Sequence, residues 1–168
     1  MPTKKLPGPT ATVDGMFIVT GPATLTVRSA ASTYNAVVEG VTTAHGGTVV
    51  ETQGDGSMLA FSSARRAVAC AQEIQREIAR SFADLSPPIR VRIGIHTGDA
   101  MKEAEHFFGT TVHYAARVAS HALGGEVLVS STVHERVGST PGVVFVEGRQ
   151  VDLKGIAGRH RLYALAPA

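Results

Sequence analysis

The sequence predicts an α/β (α+β) domain in which helices pack on one face of a mostly antiparallel sheet. Segments with a helical spacing of apolar residues alternate along the chain with short apolar runs of strand length. The stretch around residue 54 has the pattern of a β-hairpin, and residues 90–95 place an apolar residue at alternate positions. These observations favour the element order strand, helix, hairpin, helix, strand, helix, strand.

The length and composition are those of one globular domain. The 168 residues are 43% apolar and 18% charged, which allows a sizeable core and argues against a disordered chain. The net charge is +2, and the basic residues form scattered pairs rather than a stripe. The sequence therefore predicts no nucleic-acid partner.

Cysteine usage and hydropathy predict a cytoplasmic protein. The one cysteine, Cys70, lies inside an apolar helical pattern, which predicts a small core residue and no disulfide framework. No apolar run approaches the length of a membrane span, and no signal-peptide pattern opens the chain. We therefore expect a reducing compartment and no membrane segment in this chain.

The N-terminal part is predicted as a lead-in, a strand and a helix. Residues 1–13 contain three prolines and little apolar content, which predicts a flexible segment ahead of a folded domain over residues 14–168. Met16–Val19 is a short apolar run typical of a buried strand. A helix is predicted from about Ala30 to Ala44, because apolar residues recur at helical spacing and two glycines follow.

The stretch Gly47–Phe61 predicts a hairpin with Gly54, Asp55 and Gly56 at its turn. Glycine supplies the positive φ that such turns require, so Asp-Gly between β-favouring runs is a strong hairpin signal. A carboxylate held between two glycines also suits a hard cation such as Mg²⁺ or Mn²⁺. A plain surface hairpin is the alternative interpretation of the same pattern.

The second half of the chain alternates in the same way. Ser62 and Ser63 offer an N-cap for a helix that runs to about Arg80 with an apolar stripe. Gly98–Phe108 is predicted as a loop or an outer ribbon. The remaining predicted elements are a strand over Arg90–Ile95, a helix over Thr110–Leu123, and strands over Glu126–Val129, Val143–Val146, Val151–Leu153 and Arg161–Leu165.

Five groups of residues together resemble one protein family. The groups are His45-Gly46-Gly47, then Val50-Glu51-Thr52 with Gly54-Asp55 and Ala67-Val68-Ala69, then Val91–Gly98, then Phe108-Gly109 with Val112, Ala115 and Arg117, and last Gly125–Ser130 followed by Leu153-Lys154-Gly155. In this order they resemble the class III nucleotide cyclase catalytic domain, which adenylyl and guanylyl cyclases share. The resemblance extends from about His45 to Leu165 and implies a ferredoxin-like core that works as a head-to-tail dimer.

The resemblance also implies a reaction. In this family the 3′-hydroxyl of a purine nucleoside triphosphate, GTP or ATP, attacks its own α-phosphate, and pyrophosphate leaves. Two aspartates bridge two Mg²⁺ or Mn²⁺ ions, while the partner subunit supplies an Asn for the ribose and an Arg for the phosphoryl charge. A Lys near the C-terminal end holds the triphosphate, and two further positions read the base.

At three of these positions, this sequence has the residue type that the family uses. By resemblance, Asp55 matches the metal ligand at the hairpin tip, Arg117 matches the transition-state arginine, and Lys154 matches the triphosphate lysine. The two base-reading positions hold Glu51, which is of the guanylyl type, and His106, which departs from both types.

Two positions depart from the pattern in ways that affect chemistry. His113 stands where the family has its ribose-binding Asn, although an imidazole can also donate a hydrogen bond. Ile18 stands where the family has its first metal-binding Asp, and an apolar side chain offers neither charge nor donor atoms to a dication. The two-metal site is therefore predicted to be incomplete, and Asp14 is the nearby carboxylate.

The same residues also have plain structural interpretations. Asp55 can stabilise a turn, Arg117 can be a solvated helix residue, and Lys154 and Glu51 can be ordinary surface charges. His106 and His113 can be incidental to any chemistry. Two functions of different class therefore stay open: a cyclase with weak or partner-dependent activity, as a homodimer or heterodimer, and an inactive cyclase homology domain that binds nucleotide or dimerises in signalling.

Overall fold

The computed structural model describes residues 11–22, 28–53, 56–103 and 106–167, with side chains described over 30–52, 56–100 and 109–167. The elements in chain order are β1 Ala11–Pro22, α1 Arg28–Ala44, β2 Thr48–Gln53, β3 Gly56–Phe61, α2 Ala64–Ser81, β4 Val91–Glu103, β5 His106–Phe108, α3 Thr110–Ser120, β6 Val127–Ser130, α4 Ser131–Val137, β7 Arg149–Leu153 and β8 Ile156–Ala164. Within these ranges no helix combines the length and apolarity needed to cross a membrane.

The strands form one mixed sheet. Its order is β2-β3-β1-β4-β6-β8-β7, and β5 pairs with β4 outside this path. The pair β4–β6 is parallel, whereas the other pairs are antiparallel. The predicted α+β class with a mostly antiparallel sheet is thereby confirmed.

The helices lie on both faces of the sheet. Ile93 and Ile95 of β4 belong to the core cluster that also contains buried residues of α1 and α2. Gly94, which points the opposite way on the same strand, lies directly against Ala119 of α3. The expectation that helices pack on one face therefore holds for α1 and α2, while α3 covers the other face. Side chains alternate between the two faces along a strand, so Gly94 lies on the face opposite Ile93 and Ile95. Its lack of a side chain leaves room on that face for Ala119 of α3.

Helix α2 forms where the sequence predicts it. The hydroxyl of Ser63 accepts a hydrogen bond from the Arg66 amide at the N-terminus. The predicted apolar stripe is buried, including Cys70, whose pKa burial raises to about 11. A thiol with this pKa stays protonated, so Cys70 acts as a core residue, as the sequence predicts.

Some boundaries differ from the predicted ones. Strand β1 begins at Ala11, so the last part of the segment 1–13 joins the sheet, and residues 1–10 lie outside the described ranges. Of the two alternatives for Gly98–Phe108, the outer ribbon is correct, because β4 continues to Glu103 and pairs with β5.

Two predictions for the C-terminal part were incomplete or wrong. Helix α4 was missed because it is short, with only Val133 and Val137 buried on its inner face. The strand predicted over Val143–Val146 is reduced to an isolated bridge between Phe145 and Leu165. The β-branched composition of that segment is strand-like, and its backbone does bond the end of the chain, from Val146 N to the Ala164 carbonyl and from Ala166 N to the Val144 carbonyl, but within the described residues the pairing extends no further.

Candidate functional site

Helix α3 carries Arg117 and His113, which lie four residues apart and therefore on one side of the helix. The His113 side chain is exposed, and Arg117 is half-buried. The Nε atom of Arg117 is buried and has no hydrogen-bond partner among the described residues. Leaving such a donor unpaired costs about 1–3 kcal/mol, so its acceptor is expected to come from outside them.

Lys154 lies beside this face of α3. It occupies the turn between β7 and β8 and is exposed to solvent. The next residue, Gly155, has φ +80°, and a Cβ there would lie 3.4 Å from His113 Nε2. The turn that carries Lys154 is therefore in contact with α3 at His113.

The two predicted base-reading positions lie on strands that approach each other. Glu51 is exposed on β2 next to an irregularity in the pairing of β2 with β3. His106 opens β5, which contacts β2, and its backbone pairs with Glu103. The side chain of His106 lies outside the described residues.

Asp55, the predicted metal ligand, lies outside the described residues. The residues on either side of positions 54 and 55, Gln53 and Gly56, are paired with each other in the hairpin. The predicted hairpin is thus confirmed, whereas the metal role of Asp55 remains a prediction.

The register of β1 separates Asp14 from the hairpin tip. Ile18 pairs with Leu59 and Ile95, and Thr20 pairs with Ser57 close to the tip. Asp14 pairs with Asp99, six residues before Thr20 and so about 20 Å along the strand. The backbone of Asp14 is therefore too far from the tip for this residue to replace the missing ligand there.

By the resemblance, the chain lacks one of the two carboxylates with which the family holds its pair of dications. Of the two aspartate positions, only Asp55 carries a carboxylate, and Ile18 has no donor atom. Among the described residues, no group of three or more His, Cys, Asp or Glu side chains could hold a metal ion. No step of the chemistry below is assigned to a metal held by this chain.

A partly buried polar chain connects α3 to β4, β6 and β8, and the sequence pattern does not show which residues take part in it. His96 Nδ1 lies 2.7 Å from the Ser130 hydroxyl, and the His96 ring stacks on Tyr114 with centroids 3.9 Å apart. Tyr114 Oη lies 2.8 Å from His160 Nδ1, and His160 Nε2 lies 3.0 Å from the Ala157 carbonyl. Since that carbonyl can only accept, His160 Nε2 carries a hydrogen and donates to it.

His96 is held in its neutral form by its buried position. Burial lowers the pKa of His96 from 6.5 to about 4, and the neighbouring His160 contributes in the same direction. Burial also raises the pKa of Tyr114. The sequence shows a histidine in a strand and a tyrosine in a helix, but their contact depends on how α3 crosses β4. Both residues therefore act as structural links between α3 and the sheet.

Comparison with known proteins identifies the family. Residues 18–167 match the family described as the adenylate and guanylate cyclase catalytic domain. A Rhizobium meliloti protein named adenylate cyclase 3 is 32% identical over 136 residues. An uncharacterized Mycobacterium bovis protein is 38% identical over 126 residues. The chain therefore belongs to the class III adenylate and guanylate cyclase catalytic domain family.

Solved structures share the fold of this chain. A Silicibacter pomeroyi adenylate/guanylate cyclase/hydrolase superposes with a TM-score of 0.85 at 26% identity, covering 94% of this chain and 98% of that one. The guanylyl cyclase Cya2 superposes with a TM-score of 0.83 at 24% identity, covering 94% and 93%. The two sequence relatives are longer: their matches cover 80% and 73% of this chain but 23% and 39% of theirs.

Proposed function

We propose that this domain supplies one half of a nucleotide cyclase site, the half that binds the triphosphate and stabilises the transition state. A second cyclase domain supplies the aspartates, in a head-to-tail heterodimer. The product is the 3′,5′-cyclic nucleotide and pyrophosphate. A homodimer of this chain has low activity, because Ile18 leaves each of its metal-binding halves with one recognised carboxylate.

The buried, unpaired Nε of Arg117 is the observation that carries this proposal. A guanidinium N–H that is buried without a hydrogen-bond partner can donate to an acceptor on a bound ligand or on a partner chain. The adjacent Lys154 turn adds a second cation, and His113 lies between helix and turn as a hydrogen-bond donor. This grouping supports a phosphate-binding role more than an ordinary solvated helix face.

The reaction assigns a task to each side chain. The substrate 3′-hydroxyl releases its proton to water as its oxygen forms a bond to the α-phosphorus. The bond from that phosphorus to the oxygen that bridges to the β-phosphorus breaks, and the electron pair leaves with pyrophosphate. Arg117 donates hydrogen bonds to the phosphoryl oxygens as their charge redistributes, and Lys154 neutralises the departing pyrophosphate. His113 donates to the ribose in place of an amide. The aspartates of the partner domain would hold the metal ions, which would supply a Lewis acid.

The base preference follows from Glu51. A carboxylate only accepts hydrogen bonds, and guanine offers adjacent N–H donors at its N1 and 2-amino groups. GTP is therefore the expected substrate over ATP. The substrate class is available in the cytoplasm, which is the location predicted from the sequence.

A mixing experiment tests the division of labour. The purified chain is assayed with Mn-GTP and Mn-ATP by mass spectrometry of the cyclic product, alone and mixed with an Ile18→Asp, Arg117→Ala double variant. The double variant regains a carboxylate and loses the transition-state group. We expect little product from either protein alone and at least about tenfold more from the mixture.

The controls separate folding from chemistry. The Ile18→Asp variant is first checked by circular dichroism and thermal unfolding, because Ile18 pairs with the buried Leu59 and Ile95. Mixing with a triple variant that also carries Asp55→Ala should abolish the gain. Strong turnover by the chain alone would contradict the proposal, and a folded mixture without product would favour the alternative of an inactive homology domain. His113 and Ile18 are the residues that favour that alternative.

A further inference from the structure

The structure contains a second concave site, which lies on the opposite side of the sheet from α3. It is a cleft of about 400 Å³ between the C-terminal half of α2, the segment before β4 and the residues after β8. Volumes in this range are typical of small-molecule sites. The cyclase chemistry proposed above makes no use of this cleft.

The interior of the cleft is apolar and formed by rigid elements. Its walls include Ile78, Phe82, Ile89, Val127 and Leu165, all of which are buried. They come from α2, the β4 approach, β6 and the C-terminal segment, so four parts of the fold hold the shape. An apolar group of a ligand would replace water in contact with these side chains.

The charge at the cleft is positive. Arg76 and Arg90 are among the lining residues, and no acidic side chain is. Arg76 is already paired with Glu73, with 2.6 Å between Nη2 and Oε2. Arg90 is exposed and has no ion pair or hydrogen bond within the described part of the chain. A ligand anion would therefore be neutralised by Arg90.

We propose that this cleft binds a small apolar carboxylate, with the alkyl or aryl group between Phe82 and Leu165 and the carboxylate at Arg90. Guanidinium groups bind carboxylates through paired N–H donors, which gives such a site both charge and geometric selectivity. Gln75 strengthens the floor, because its Nε2 donates to the Val91 carbonyl at 3.0 Å and so fixes α2 to the start of β4.

Octanoate titrated into the purified chain by isothermal calorimetry tests the proposal. Octanol and octylammonium serve as neutral and cationic probes of the same length. We expect octanoate to bind more tightly than either, and Arg90→Gln to weaken it about fivefold. Arg92→Gln is the matched control, since Arg92 is an exposed residue of β4 two positions after Arg90 but does not line the cleft.

A second variant tests the location without removing a charge. Ala79 lines the cleft and is exposed, so Ala79→Phe fills the space with little disturbance of the core. With an unchanged melting temperature, this variant should lose octanoate binding. The proposal is overturned if octanoate does not bind, if Ala79→Phe binds it as well as the wild type, or if Arg90→Gln has no effect.

Discussion

The imidazole of His96 is held in its neutral form by its surroundings. It is enclosed between Tyr114 and Ser130, and its pKa is lowered to about 4. A histidine in an unfolded chain titrates near pH 6.5. Because the pKa of His96 is lower in the folded chain than in the unfolded chain, this residue makes the stability of the fold sensitive to acid.

Stability should therefore fall as the pH drops from about 6.5 towards 4. In this window the unfolded state binds a proton that the folded state does not, so the free energy of unfolding decreases by at most about 3 kcal/mol and then levels off. Urea unfolding across this range should show a smaller decrease for His96→Asn than for the wild type. His45→Asn is the control, and equal slopes for His96→Asn and the wild type would refute the prediction.

Gly94 is required for the close approach of α3 to β4. A Cβ at this position would overlap the backbone nitrogen of Ala119, and backbone atoms cannot move aside as a flexible side chain can. Gly94→Ala should therefore cost about 3 kcal/mol in the free energy of unfolding.

A second glycine supplies the comparison. Gly40 lies inside α1, and a Cβ there would meet nothing within 4 Å. Gly40→Ala should stabilise the protein by about 0.5–1 kcal/mol, because alanine loses less backbone entropy in a helix. Chemical denaturation of both variants measures the contrast, and changes of the same sign would contradict it.

At the scale of elements, Ser130 connects a strand to the helix that follows it. Its hydroxyl accepts from the Val133 amide as the N-cap of α4 and also bonds His96. Because Ser130 is fully buried, Ser130→Ala removes both contacts and leaves a buried imidazole nitrogen unpaired.

We expect Ser130→Ala to cost about 2 kcal/mol. Ser63→Ala removes the corresponding cap of α2 at an exposed helix end and should cost about 0.5–1 kcal/mol. Equilibrium unfolding in urea compares the two, and an equal cost would show that the His96 contact adds no stability.

Element positions also decide which site residues meet. The hairpin, α2 and the β4 alternation were predictable, because each depends on neighbours within a few residues of the chain. The contact between His113 and the Lys154 turn was not predictable in this way. It joins residues about forty positions apart and depends on how β7 and β8 pair below α3.

At the scale of the whole molecule, the proposed half-site predicts how nucleotide affects stability. If Arg117 and Lys154 bind the triphosphate, then nucleotide should stabilise the chain without Mn²⁺. At ten times Kd the stabilisation is about 1.4 kcal/mol, which corresponds to a rise in Tm of about 3–6 °C.

Thermal unfolding with GTP, with and without Mn²⁺, measures this effect. Lys154→Ala should remove most of the shift, while Lys102→Ala on β4 serves as a charge-matched control. A shift that appears only with Mn²⁺ would instead indicate a working metal site and would contradict the assignment of a deficient one.

The family and the α+β class follow from the sequence alone, which also predicts the positions that differ from or match the family's site: Arg117, Lys154, Glu51, His113 and Ile18. These features depend on residue types at fixed spacing, which can be read directly from the sequence. The tertiary structure decided which sheet face α3 covers, that Asp14 pairs away from the hairpin tip, and that His96 is neutral. These depend on packing and register between distant segments, and periodicity does not encode which surfaces meet.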